Sequence, residues 1–328
     1  MECSSHHFDA IVVGAGIMGS STAYQLAKRG QKTLLLEQFD FLHHRGSSHG
    51  ESRTIRATYP EDYYCDMVME SLQMWEQAQS EAGYKVYFKA QQFDMSPSDN
   101  KSLRSVISSC EKNSIPYRVL DRQQVSDRFS GMINIPEDWF GVLTDVGGVI
   151  KPTKAVSMFQ ALAFQRGAVL RDNMEVKKRC ERRGSRRGRR QSLPSEVIFR
   201  RLQATGRPYV YGTPSLEFPG LIKIAVHGGY PCDPDKRPWG LGTSLDSLKE
   251  WIQGRFSGLV DDGGPVNTQS CHGFKMAPVV GRVLADLVLG GEAKGVELKY
   301  FRIRRFQENP GGNVKDYEDQ VNSFSNHK

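Results

Sequence analysis

The chain has few cysteines and none of the patterns that give them a structural job. Six are scattered over 328 residues, with no C-x-x-C and no metal-ligand spacing. They read as reduced thiols of an intracellular protein, and they exclude a disulfide framework or a zinc module. No apolar run approaches the roughly 18 residues that span a bilayer. No apolar signal core precedes the first predicted strand, so secretion is not expected. Internal repeats are absent. Surplus charge is also absent from most of the chain. Residues 177–190, KKRCERRGSRRGRR, hold nine basic residues and one acid, a net +8 against +7 for the whole, so the remainder carries −1. No aromatic side chain interleaves these arginines to stack on bases, so the run reads as a solvated linker rather than a nucleic-acid surface.

What is present begins at residue 8. FDAIVVGAGIMGSSTAYQLAKRGQKTLLLE reads as strand, glycine turn, helix, strand and terminal acid. The apolar run 8–13 is short enough for a buried parallel strand. Gly14 permits the tight turn, Gly16 lets backbone approach a pyrophosphate, and Gly19 lets helix pack on strand. The N-terminus of the following helix, 17–29, offers amides and a positive dipole end to phosphate. Glu37 stands 23 residues after Gly14, where a carboxylate accepts from ribose hydroxyls. That acid disfavours a 2′-phosphate and therefore NADP. FAD and NAD stay equally open on the motif alone.

A loop rich in Gly, Ser and His follows, carrying Arg45, Arg53 and Arg56. Periodicity predicts helices over 61–82, 98–113, 121–129, 152–166, 241–253 and 277–289. The last carries Val280, Leu284, Leu287 and Val288 on one face. Strands are expected within 85–95 and 117–120, from 168, and over 221–227. Residues 177–208 show no convincing element, and the tail beyond 308 is polar.

FDAIVVGAGIMGSSTAYQLAKRGQKTLLLEQF, RGSSHGESRTIR, GGVI, YGTPSLEFPGLIKIAVH, PCDP and HGFKMAPVVG together resemble the monomeric sarcosine oxidase family of FAD-dependent amine oxidases. The resemblance implies an α/β fold, a Rossmann-type FAD-binding domain intertwined with an α+β substrate domain. The expected division is 1–82, 145–176 and 261–308 for the FAD domain and 83–144 and 209–260 for the substrate domain. It implies oxidation of a small secondary amino acid, sarcosine or L-pipecolate, to its imine, with O2 reduced to hydrogen peroxide. It implies FAD as cofactor, a monomer, a peroxisomal location, and neither nucleic acid nor membrane as partner.

Residues transfer to matching positions. Arg56 and Lys275 are implied to bind the substrate carboxylate, a task suited to a guanidinium fork. Lys223 is implied beside the flavin as a catalytic group promoting reaction with oxygen. A lysine in so apolar a strand is otherwise costly or solvent-facing. His227, on the same strand face by period two, and Tyr211 are implied at the substrate. Packing roles are the alternatives for both. Gly14, Gly16, Gly19, Glu37, Arg45, Ser48 and Arg53 are implied to hold the cofactor.

The chain also departs from the family. Its flavin-attaching cysteine has no match here, and Cys271 stands where the family has a glycine before H-G-F-K. Residues 177–208 replace a longer region that includes sheet strands, so the fold is expected to be incomplete. The chain ends Ser325-Asn326-His327-Lys328, which does not match a peroxisomal tripeptide, so a cytosolic location is the alternative. The alternative function is an inactive, truncated or mis-spliced relative that retains partial nucleotide binding.

Overall fold

A computed structural model describes residues 7–61, 63–176, 209–216, 221–227, 246–259, 273–301, 304 and 307. The expected βαβ unit forms as β1 (Ala10–Val13), α1 (Ile17–Lys28) and β2 (Thr33–Leu36). β1 and β2 pair in parallel with Ala10 opposite Thr33. After β3 (Arg53–Arg56) comes α2 (Tyr63–Ala82), then β4 (Tyr87–Lys89), β5 (Gln92–Pro97), α3 (Lys101–Lys112), β6 (Tyr117–Leu120) and α4 (Arg122–Arg128). β7 (Trp139–Thr144), β8 (Gly147–Ile150), α5 (Pro152–Gln165) and β9 (Val169–Arg171) follow. β10 (Tyr209–Pro214), β11 (Ile222–His227), α6 (Asp246–Gln253), a 3-10 turn Phe274–Met276 and α7 (Ala277–Gly290) complete the larger elements. Where the described residues test them, the expected helix boundaries hold to within a few residues, whereas β3, β7 and β8 were not expected.

Local chemistry explains the helix starts. Asn100 caps α3 by accepting from the Leu103 amide at 3.0 Å. Asp121 and Gln124 form a reciprocal capping box on α4. Pro152 and Pro278 sit in the first turns of their helices, where a missing N–H costs nothing.

The parallel sheet has the order β1-β2-β9, and the remaining described strands form three antiparallel ladders, β3-β8-β4, β5-β7-β6 and β10-β11. Helices α1 and α5 pack together on the parallel sheet, α7 packs on α1, and α2 lies against α5 and α7. Trp75 of α2 is fully buried, tilted against Phe159 at 5.3 Å and stacked parallel to Phe274 at 6.3 Å.

Two expectations are corrected. β1 alternates in exposure instead of being buried on both faces. Ile11 is 59% and Val13 63% exposed, so among the described residues only the α1 side of that strand is covered. In α7 the face with Leu284 and Val288, 40% and 60% exposed, is the outward one. The inward face carries Ala277, Gly281 and Ala285, spaced by four. Small residues there allow the α7 backbone to meet α1 closely. A Cβ at Gly281 would lie 2.8 Å from the Ser21 carbonyl carbon and 2.9 Å from the Thr22 nitrogen. Gly281→Ala must therefore push the helices apart, and it is expected to lower unfolding stability by roughly 1–3 kcal/mol. Denaturant titration checks this, and an unchanged midpoint contradicts the close approach.

Candidate functional site

The glycine turn is locked before any ligand arrives. Gly14 has φ +96°, and its N–H donates to the Leu36 carbonyl at 2.7 Å. Ala15 is tied at both polar atoms. Its N–H donates to Glu37 Oε2 at 2.8 Å, and its carbonyl accepts from Ser20 Oγ at 2.9 Å and Gln160 Nε2 at 3.1 Å. A Cβ on Gly19 would fall 1.8 Å from the Gly14 carbonyl oxygen, so only glycine brings α1 onto the turn. Gly16 is the N-cap of α1, and Ser48 Oγ accepts from the Ile17 amide at 3.0 Å, which draws the following loop over the helix start. Glu37 is 6% exposed. Its second oxygen, Oε1, accepts from the amides of Gln38 at 2.8 Å and Phe39 at 3.2 Å and lies 3.4 Å from His43 Nε2.

These features fit the ADP half of a dinucleotide. The start of α1 brings the positive end of its dipole to the turn, Gly19 leaves no room there for a side chain, and the buried carboxylate is fixed at the end of β2. Arg45 lies apart from the turn, exposed, with its guanidinium 4.4 Å from the Phe39 ring.

Arg53 and Arg56 come from one strand and point to opposite sides of it, as the period of two requires. Arg53 is 7% exposed. It donates to the carbonyls of Ser52 at 2.8 Å, Ser47 at 3.0 Å and His49 at 2.7 Å, and its guanidinium stands 5.6 Å from the Phe274 ring. It thus organises the 47–52 loop and ties that loop to the H-G-F-K segment. Arg56 donates to the carbonyl of Thr58, reaches its hydroxyl at 3.3 Å, and lies 4.4 Å from the Tyr59 ring.

Lys275, 6% exposed, places its ammonium 5.7 Å from the same Tyr59 ring. Its carbonyl accepts from Ser71 Oγ at 2.6 Å and Trp75 Nε1 at 3.0 Å, so α2 fixes its backbone. The two cations implied to hold a carboxylate are therefore brought to one aromatic hub from segments more than 200 residues apart.

Lys223 faces Thr213 across the β10-β11 ladder, and its Nζ lies 3.5 Å from the Ser52 carbonyl. Burial depresses its pKa and Arg53 adds to this, while Glu51 opposes. The Thr213 hydroxyl is buried without a hydrogen-bond partner. An orphan hydroxyl beside a half-buried lysine suits the polar edge of a flavin ring. Tyr211 is half-buried, opposite Ala225; His227 pairs through its backbone with Tyr209, and its side chain lies outside the described residues. Cys271 and residues 177–208 also lie outside them. Cys65 and Cys110 are buried in the core, where burial pushes the Cys110 thiol up to about 12. Among the described residues there is no cluster of metal ligands and no helix long and apolar enough to cross a membrane.

Tyr59, Ser71, Trp75 and Gln160 are site residues that sequence reasoning missed. Tyr59 alone carried a signal, since it follows SRTIR by only three positions.

A family model for FAD dependent oxidoreductases matches residues 9–201, more than half of the chain. The chain belongs to the FAD dependent oxidoreductase family. A probable sarcosine oxidase of Arabidopsis thaliana is 52% identical over 400 aligned positions, covering 96% of this chain and 96% of the relative. The peroxisomal sarcosine oxidase of Homo sapiens is 28% identical, over 91% and 96%. NikD, described as an unusual amino acid oxidase essential for nikkomycin biosynthesis, superposes in its open form with a TM-score of 0.65 at 18% identity, covering 89% and 96%, a likeness of fold. The Arabidopsis alignment is 72 positions longer than this 328-residue chain, so at least 72 positions of that relative have no counterpart here. This agrees with the incomplete fold expected from the sequence.

Proposed function

We propose that the chain oxidises a small secondary amino acid, sarcosine or L-pipecolate, to its imine, with O2 taken to hydrogen peroxide. The observation that carries this reading is the convergence of Arg56 and Lys275 on Tyr59. Two cations gathered on one buried ring supply the positive charge that a small carboxylate calls for, with apolar surface beside it. FAD, when bound, supplies acceptance of a hydride from the substrate carbon and its passage to oxygen. Gly14, Gly16, Gly19 and Glu37 hold the ADP half, with Ser48 closing over the start of α1. Arg53 shapes the loop that meets the flavin end. Lys223 supplies positive charge beside that end, where it stabilises developing negative charge on oxygen, and Thr213 offers it a neighbouring hydroxyl. Tyr211 and His227 flank the substrate on the β10-β11 ladder. A protein base is not required, because a neutral amine delivers hydride directly. The relatives support a monomer and a peroxisomal setting, and the flavin is held without a cysteine matching the family's attachment point.

The test is the visible spectrum of purified protein and its response to sarcosine. Wild type is expected to bind FAD, to bleach on anaerobic addition of sarcosine and to release peroxide in air. A protein that binds FAD but never bleaches with sarcosine, L-pipecolate or proline overturns the substrate assignment. Lys223→Met is expected to bleach at a near-normal rate and to recover its colour in air at least tenfold more slowly. Equal slowing of both halves removes the oxygen role.

A further inference from the structure

His43 stands beside the carboxylate assigned to the ribose, and nothing in the proposed chemistry uses it. Glu37 is pinned through its backbone, since its N–H donates to the Arg171 carbonyl at 2.9 Å and its carbonyl accepts from the Met174 amide at 2.7 Å. The rotation of its side chain is what remains to be set. Oε2 accepts from the Ala15 amide, and Oε1 accepts from the amides of Gln38 and Phe39. His43 Nε2 lies 3.4 Å from the same Oε1. A carboxylate offers about four acceptor sites. Oε1 is thus crowded with donors, and Oε2 keeps room for one more.

The imidazole is itself held in three ways. The His43 amide donates to the Asp40 carbonyl at 3.3 Å and closes a turn. Its Nδ1 accepts from the Arg45 amide at 3.0 Å. Its ring meets the Phe39 ring edge-on at 5.0 Å. An acceptor at Nδ1 places the proton of the neutral ring on Nε2, the nitrogen that faces Glu37. The side chain is 21% exposed, so the contact is partly sheltered from water.

We propose that His43 is a positioning residue for the cofactor, whose Nε2–H holds Oε1 of Glu37 against the amides of Gln38 and Phe39 and so presents Oε2 to a hydroxyl of the adenosine ribose. This rests on the reading of Glu37 as the ribose acceptor. The Arg45 amide acts at one remove, by fixing which imidazole nitrogen carries the proton.

Three variants separate the contact from the packing. His43→Phe keeps a ring on Phe39 and removes the N–H. His43→Gln keeps an N–H donor and removes the ring. His43→Ala removes both. Each full chain, freed of flavin, is titrated with ADP, with 2′-deoxy-ADP and with FAD. Wild type is expected to prefer ADP to 2′-deoxy-ADP by about tenfold, the worth of a hydrogen bond to a charged group. His43→Phe and His43→Ala are expected to bind ADP and FAD roughly three- to tenfold more weakly and 2′-deoxy-ADP as before, so the preference shrinks. His43→Gln is expected to behave as wild type, and with His43→Ala it carries the test if His43→Phe folds poorly. A merely structural role reverses the order, with His43→Phe sound and His43→Gln impaired, or weakens both nucleotides alike; either result overturns the proposal. If wild type binds ADP and 2′-deoxy-ADP equally, the ribose role of Glu37 itself falls. If wild type prefers ADP and both His43→Phe and His43→Ala keep that preference in full, only the His43 assignment falls.

Discussion

Gly19→Ala is expected to yield a folded protein that purifies without flavin. The added methyl would sit 1.8 Å from the Gly14 carbonyl oxygen, a backbone atom that cannot rotate away. Either α1 lifts from the sheet or the turn opens. Both routes break the bonds that tie Ala15 to Glu37, Ser20 and Gln160. Over-packing of this kind costs about 1–3 kcal/mol and more where backbone is involved. The turn geometry is what faces pyrophosphate, so the loss falls on the FAD complex, and each 1.4 kcal/mol is about tenfold in Kd. A rise of roughly ten- to several hundredfold in the Kd for FAD is expected, read by titrating apoprotein with FAD. Gly30→Ala is the control. Gly30 has φ +79° with nothing within 4 Å of an added Cβ, so that variant strains a distant turn and leaves FAD affinity alone. Equal loss in both variants means that general instability, not the cradle, is being measured.

The contrast between these two glycines shows what was legible in the sequence. Gly14, Gly16, Gly19 and Glu37 were readable because their chemistry is local: one turn, one helix start and one strand end, all within 30 residues. The helix start at 121 was readable for the same reason, since the Asp121–Gln124 capping box is local. The site's other half depends on contacts between distant segments. β3 is four residues of a loop-like, Gly- and Ser-rich stretch, and it becomes a strand only by pairing with β8, Arg53 opposite Ile150. Trp75 is buried on the inner face of α2. Its indole N–H also serves the Lys275 carbonyl 200 residues away, and no periodicity carries that information. The outward face of α7 was misleading because hydrophobic periodicity weights large side chains, whereas close helix packing selects small ones, here Gly281 against Ser21.

Removing both substrate cations is expected to give the second large effect, and the pattern of loss matters more than its size. Arg56→Met and Lys275→Met each delete a charge from a site that excludes most solvent; Lys275 is 6% exposed. Truncating one member of a buried charge contact costs about 2–5 kcal/mol, so each variant should lower kcat/KM for sarcosine by roughly 30-fold or more, chiefly through KM. If both cations hold the same carboxylate, the losses are coupled and the double variant should lose less than the product of the two single effects. The shared Tyr59 ring makes coupling the expected outcome, since it fixes both groups about one point. Lys275→Arg should recover little, because a guanidinium needs a planar fork of acceptors where the structure provides a ring face. A secondary amine without a carboxylate supplies the internal comparison, because its oxidation should be poor in wild type and insensitive to either substitution. Strict additivity of the two single variants, or a fall in kcat at constant KM, would separate Arg56 from Lys275 and leave only one of them on the substrate.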